Sequence, residues 1–339
     1  MRFGLFVPQG WRMDLVGIEP ERQWEAMAGV AKHADDGDVF ESIWVYDHFH
    51  TVPIPSEEAT HEAWTLMSAF AASTSRVRLG QMCTCMSYRN PAYLAKVAAT
   101  VDVISGGRLE MGIGGGWYEH EWRAYGYGFP SAGERLGRLR EGVRIFRDMW
   151  TTGSATLDGK YYQVDGALCA PRPLQGTSLP GSESNGIPIW VAGGGEKVTL
   201  RIAARYADYT NFFDDAETFS RKSDILAQHC TDVGRDFESI VRTGDFNVVI
   251  GETEAEVEDR LRFHADLLRK GGVSEQRAER HIADLRTQPA VGTPERVIEV
   301  LRDMERRGMA YGILYFQEAA YDRSGIELFE RAVAPELRA

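Results

Sequence analysis

Short apolar or β-branched runs alternate with longer amphipathic stretches along nearly the whole chain. The strand-like runs are Arg2–Val7, Ser42–Tyr46, Val77–Cys83, Leu109–Ile113, Ile187–Ala192, Tyr209–Phe213, Ile240–Ile250 and Gly312–Phe316, eight in all. The helices between them carry clear punctuation. Pro20 stands where a first helical turn begins, and Trp24, Met27, Ala28 and Ala31 follow at helical spacing. Asn90-Pro91 pairs an N-cap with a proline at the first position, and Gly106-Gly107 closes that helix. Thr293-Pro294 opens another, with Val297, Ile298 and Leu301 on its inner face. Strands that alternate with helices pair in parallel through right-handed crossovers, and closing eight of them gives an α/β fold, the (β/α)8 TIM barrel. A doubly wound open sheet is the structural alternative.

A barrel of this kind needs about 250 residues, so a chain of 339 carries insertions. The expectation is a single barrel domain over residues 1–339 with two insertions at the C-terminal mouth. The first, about 117–186, holds a helix near 131–151, a hairpin around Asp158-Gly159 and a polar loop, Gln175–Gly186. The second, about 252–290, is charged and helical.

Composition narrows the function classes. A net charge of −12 argues against nucleic-acid binding, which needs a basic face. No apolar run approaches eighteen residues, so no membrane span is expected. The apolar start Met1–Val7 is too short for a signal peptide and ends at Pro8. Cys83 and Cys85 alternate along one strand, and Cys169 and Cys230 have no evident partner; the pattern fits a reduced, cytoplasmic setting.

In a barrel the chemistry lies just after each strand. Asp47-His48 is the one neighbouring acid–imidazole pair at such a position, and an imidazole titrates near neutrality and can move a proton. The plain alternative is a strand-end histidine bonding a loop carbonyl. Two triple-glycine runs, Gly114–Gly116 and Gly193–Gly195, follow apolar strands and let a ligand approach the backbone closely. The second leads into a helix expected from Glu196, whose N-terminal N–H groups suit a phosphate; a tight turn is the competing explanation. Arg89, Lys96, Lys197, Arg201 and Arg205 are candidate partners for an acidic ligand tail, and Trp11 and Trp117 are candidate walls for a flat ring. His48-Phe49-His50 also has the form of a metal-binding pair, which would make a metal-dependent barrel hydrolase.

The order Phe3-Gly-Leu-Phe6, Trp44-Val-Tyr-Asp-His-Phe49, Arg89-Asn-Pro91, Ser105-Gly-Gly-Arg-Leu109, Gly112–Trp117, Asp158-Gly-Lys-Tyr-Tyr162, Ala170-Pro-Arg-Pro173 and Ile187–Gly195 resembles the luciferase-like monooxygenase superfamily. Within it the chain is most similar to the branch dependent on the deazaflavin coenzyme F420. The resemblance implies a barrel with a lidded mouth, hydride transfer between the deazaflavin C5 and a small organic substrate, and a homodimer. It implies that Asp47 meets the polar edge of the ring and that His48 stands beside the reacting carbon. A non-proline cis peptide at Met82–Cys83 would brace the ring. Gly115, Gly116, His120 and Ala192 would line the cofactor, with its phosphate on Gly193, Gly194 and Gly195. Trp117 stands where sugar-phosphate-oxidising relatives carry a glutamate. It therefore joins His48 as a catalytic candidate that favours a flatter or more apolar substrate. The nearest alternative is the same barrel using FMN as a monooxygenase.

Overall fold

The computed structural model describes residues 1–175, 186–212 and 215–337. The chain opens with β1 (Arg2–Phe6), α1 (Pro20–Asp36), β2 (Phe40–Val45), α2 (Ala63–Ser73), β3 (Arg78–Gln81) and β4 (Thr84–Cys85). It continues through α3 (Pro91–Ser105), β5 (Leu109–Gly114), α4 (Glu119–Ala124), α5 (Ala132–Thr152) and the hairpin β6 (Ser154–Asp158) and β7 (Gln163–Leu168). Then come β8 (Ile189–Ala192), α6 (Thr199–Tyr206), β9 (Tyr209–Asn211), α7 (Ala216–Val233), β10 (Val241–Asn247) and β11 (Val249–Ile250). The last elements are α8 (Glu254–Lys270), α9 (Glu275–Arg286), β12 (Val291–Gly292), α10 (Pro294–Arg306), β13 (Tyr311–Tyr315) and α11 (Ser324–Ala332).

The chain folds as two compact units. One is built from Met1–Glu62, residues 215–220 and residues 242–337. In it β1 lies between β2 and β13, and β13 also pairs with β10, all in parallel register. The other is built from Ala63–Phe212 and Arg221–Val241. There β5 pairs with β3, β4 and β8, and β8 pairs with β9, again all in parallel. Among the described residues the strands make one nine-stranded sheet in the cyclic order of a (β/α)8 barrel. Nine strands stand for eight because the third is interrupted. The barrel expected from the alternating pattern is the observed fold.

Local chemistry explains why the elements start and stop where they do. Asn90 caps α3 by accepting from the backbone N–H groups of Ala92 and Tyr93, and Gly106 ends that helix in the left-handed region at φ 72°. Ser131 caps α5 by accepting from Glu134 N. The hairpin pairs antiparallel with Asp158 opposite Gln163, and Gly159 N donates to Tyr162 O at 2.9 Å. Glu141 of α5 holds this tip by accepting from the backbone N–H groups of Lys160, Tyr161 and Tyr162.

Four details differ from the expectations. Val77–Cys83 divides, because the chain leaves the sheet at Met82 and Cys83 and rejoins it as β4. Ile240–Ile250 also divides. Val249 and Ile250 leave the barrel sheet to pair with Val291 and Gly292. The helix after Gly193–Gly195 begins at Thr199, since Glu196–Val198 form a turn in which Leu200 N donates to Gly195 O at 3.0 Å. Finally, Tyr209–Phe213 is a strand only to Asn211, and Phe213 and most of the loop Gln175–Gly186 lie outside the described residues.

Candidate active site

In the first unit, the turn after β1 is locked by one acid. Asp14 Oδ1 accepts from Gly10 N at 2.6 Å and Asp14 Oδ2 from the Tyr315 hydroxyl at 2.9 Å. Met13 adopts φ 60° in this turn, which packs its side chain into the core. Gln9, just after β1, is a tie between strand ends. Its side chain donates to the carbonyls of Tyr46 and His61 and accepts from Tyr46 N.

The turn delivers Trp11 and Arg12. Trp11 is 6% exposed and stacks on His48 with centroids 4.1 Å apart and planes 2° from parallel. It is therefore a buried support for His48 rather than an open wall. Arg12 is half-buried beside it, donates to Asn247 Oδ1, and lies 4.7 Å from the Tyr315 ring centroid and 5.5 Å from that of Tyr46. Burial alone would lower the Arg12 pKa, but Tyr46, Tyr315, Asp245 and Asp14 outweigh it and hold the guanidinium above its ordinary value. Asp14 is pushed up by burial, against the pull of its hydrogen bonds from Tyr315 and the turn amides. Asp47 is buried, whereas His48 and His50 are part-exposed.

The second unit holds the glycine turns. The Met82–Cys83 peptide is cis, at the position the resemblance implies. A Cβ on Gly114 would lie 2.6 Å from Cys83 Sγ. At Gly116, where φ is +77°, a Cβ would lie 2.6 Å from Cys85 Sγ and 2.8 Å from the Trp122 ring. Both glycines are thus fixed by the sulfurs and the indole packed against them. Trp117 is 60% exposed and stacks on Tyr118 at 5.2 Å; His120 lies exposed on α4.

Gly193, at φ +104°, and Gly195 are exposed after Ala192. A Cβ on Gly194 would run into Lys222 Nζ, and one on Gly195 would lie 2.7 Å from Thr199 Oγ1. An ammonium and a hydroxyl therefore border an open backbone turn, which fits a phosphorylated group. Glu196 is paired with Arg221, and its carbonyl meets His229 Nε2 at 2.7 Å.

Sequence reading missed Lys222, which approaches from α7 with no local signal. Arg12 was readable in principle, because a cation directly follows the strand-end Trp11. Of the cations it did single out, Lys96 donates to the Ala170 carbonyl and Arg201 and Arg205 are exposed on α6. Among the described residues, no group of three or more His, Cys, Asp or Glu is placed to hold a metal ion.

An F420-dependent glucose-6-phosphate dehydrogenase of Gordonia bronchialis is 27% identical over 347 aligned positions covering 97% of each chain. The enzyme of that name from Amycolatopsis mediterranei is 34% identical over 172 positions, half of this chain and 47% of the relative. Among solved structures, an F420-dependent secondary alcohol dehydrogenase in complex with an F420–acetone adduct superposes with a TM-score of 0.75 at 21% identity, covering 100% of this chain and 99% of the other. The luciferase-like monooxygenase profile matches residues 1–311, and the chain belongs to that family.

Proposed function

We propose that this chain is a coenzyme F420-dependent oxidoreductase acting on a small organic substrate. The observation that carries this reading is the alignment with an F420-dependent dehydrogenase along 97% of both chains. When bound, the coenzyme supplies the carbon that gives or takes a hydride; the protein supplies position, shielding and proton handling. Asp47 orients the ring by its polar edge, and Met82 and Cys83 support the ring face. Gly115, Gly116, His120 and Ala192 line it, and Gly193, Gly194 and Gly195, with Lys222, hold the phosphate. His48 exchanges the proton that accompanies the hydride. Its ring is kept in one plane by Trp11, which supports a fixed donor geometry. Trp117 supplies an aromatic surface to the substrate in place of an acid.

In this reading the protein works as a cytoplasmic homodimer and binds neither nucleic acid nor membrane. Its four cysteines are free thiols, and no helix among the described residues is long and apolar enough to cross a membrane.

His48→Ala is expected to lower turnover by about 10²–10⁴-fold while the coenzyme stays bound, the range for losing a positioned acid–base group. Full turnover in that variant would remove His48 from the mechanism. Oxygen consumption with reduced FMN, without F420-dependent turnover, would favour the monooxygenase reading.

A further inference from the structure

One side chain holds the strand end from which His48 projects. Strand β1 pairs with β2 up to Phe6 opposite Trp44, and Val7 N donates to Trp44 O at 2.9 Å. The next N–H on that side of the strand belongs to Gln9. It has turned away, to 3.4 Å from Asp14 Oδ1. The Gln9 side chain carries the pairing on in its place. Its Nε2 donates to Tyr46 O at 2.8 Å, and its Oε1 accepts from Tyr46 N at 2.8 Å. The second Nε2 hydrogen goes to His61 O at 2.6 Å, while His61 N donates to Gln9 O at 3.1 Å. Gln9 therefore holds both backbone groups of Tyr46 and both of His61.

Gln9 is 1% exposed, so these bonds form away from water. Two carbonyls need donors and one N–H needs an acceptor, all from the same side chain. An uncharged amide meets that demand, and a carboxylate, which only accepts, does not. Buried backbone groups left without partners are costly, so the clamp is closed as a unit.

The aromatic stack follows directly. Trp11 lies two residues beyond Gln9 and His48 two beyond Tyr46, and their rings lie parallel at 4.1 Å. The Tyr46 ring stacks on Phe6 at 4.4 Å and meets Trp11 at 4.3 Å. The chain after His48 is fastened to the same turn. Val52 N donates to Trp11 O at 2.8 Å, and a Cβ on Gly10 would run into Ala59 O. Backbone on both sides of His48 thus converges on residues 9–11.

We propose that Gln9 is a positioning residue for His48: by clamping Tyr46 to His61, it fixes where the imidazole stands on the face of Trp11. A misplacement of about 1 Å can cost about 100-fold in rate, so the clamp bears on proton exchange. Only that consequence rests on the oxidoreductase reading; control of the ring position does not.

The test follows the histidine ring protons of the coenzyme-free, full-length protein by NMR, with the His48 signals assigned by their loss in His48→Ala. In the wild type they are expected upfield, under the Trp11 indole, and the Tyr46 amide is expected to exchange slowly. Gln9→Met, similar in length and uncharged, is expected to move the His48 signals downfield toward an unstacked ring and leave those of His33 in place. It is also expected to speed exchange of the Tyr46 amide about tenfold, as loss of one hydrogen bond implies. Should it fail to fold, Gln9→Asn, one methylene too short to reach both segments, and the wild-type signals decide. Unstacked His48 signals or a fast-exchanging Tyr46 amide in the wild type would overturn the proposal. So would a folded variant in which His48 is unmoved, or in which His33 moves as far. Titration of the wild type with F420 separates the two readings. No coenzyme binding, with His48 displaced by Gln9→Met, would sink the oxidoreductase reading and leave the role of Gln9 standing.

Discussion

Gly116 meets two separate demands, a backbone at φ +77° and a packed sulfur and indole where a side chain would go. Gly116→Ala is expected to destabilise the fold by about 1–3 kcal/mol, combining the strained φ with overpacking. A lowered midpoint in thermal denaturation would show it, and an unchanged midpoint would mean that Cys85 and Trp122 give way freely. Lys222→Ala is expected to weaken coenzyme binding by about 10–100-fold, the cost of losing one charge-assisted hydrogen bond; an unchanged dissociation constant would place the phosphate elsewhere. These two residues show how far sequence reaches at this scale. The glycine turns were readable because three successive glycines exceed what a simple turn needs. Lys222 was not, because it lies on α7, far along the chain from the turn it borders. The stack of Trp11 on His48 was also hidden, since each residue follows a different strand and only the Asp14-locked turn brings them face to face.

At the scale of elements, caps and punctuation were legible and departures from regularity were not. Asn90, Pro91 and Gly106 bound α3 as their chemistry requires, and Asp158-Gly159 marks the hairpin tip. The break at Met82–Cys83 lies inside an apolar run that reads as one strand, and the family resemblance, not the hydrophobic pattern, pointed to it. Val249 and Ile250 continue an apolar run too, yet they pair with Val291 and Gly292, a partner that no local signal names. One contact joins α1 to α11: His33 Nε2 and Glu330 Oε2 are 3.0 Å apart. The hydrogen bond that His33 donates to Glu330 raises the His33 pKa above its ordinary value, against the effect of burial. A raised folded-state pKa stabilises fully below the unfolded value of about 6.5 and is lost as pH climbs through the folded value. Stability should therefore fall by up to about 1 kcal/mol across that window, and His33→Asn should flatten the fall. Chemical denaturation at a series of pH values would check it; a slope that survives the substitution would assign it to another group.

Deeper in the second unit, Arg78 pairs with buried Glu110, whose other oxygen accepts from Trp190 Nε1 at 2.6 Å. Arg78 also donates to Gln175 Oε1 at 2.6 Å, so one guanidinium ties β3 and β5 to the chain that follows the hairpin. Arg78→Met would leave the carboxylate buried without its cation and is expected to cost about 3 kcal/mol in denaturant unfolding. A loss below about 1 kcal/mol would mean that Trp190 suffices.

For the molecule as a whole, alternation of strand and helix was enough to reach the barrel, because parallel pairing and crossover handedness leave few other closures. The cofactor class came from many motifs in one order, not from any single residue. The proposed function requires that the glycine turns and His48 serve one phosphorylated deazaflavin. The most direct test is titration of the purified protein with coenzyme F420, following the coenzyme's own fluorescence. Saturable, tight binding that weakens on Lys222→Ala is the expected result. No binding of F420, with saturable binding of FMN in its place, would contradict the account.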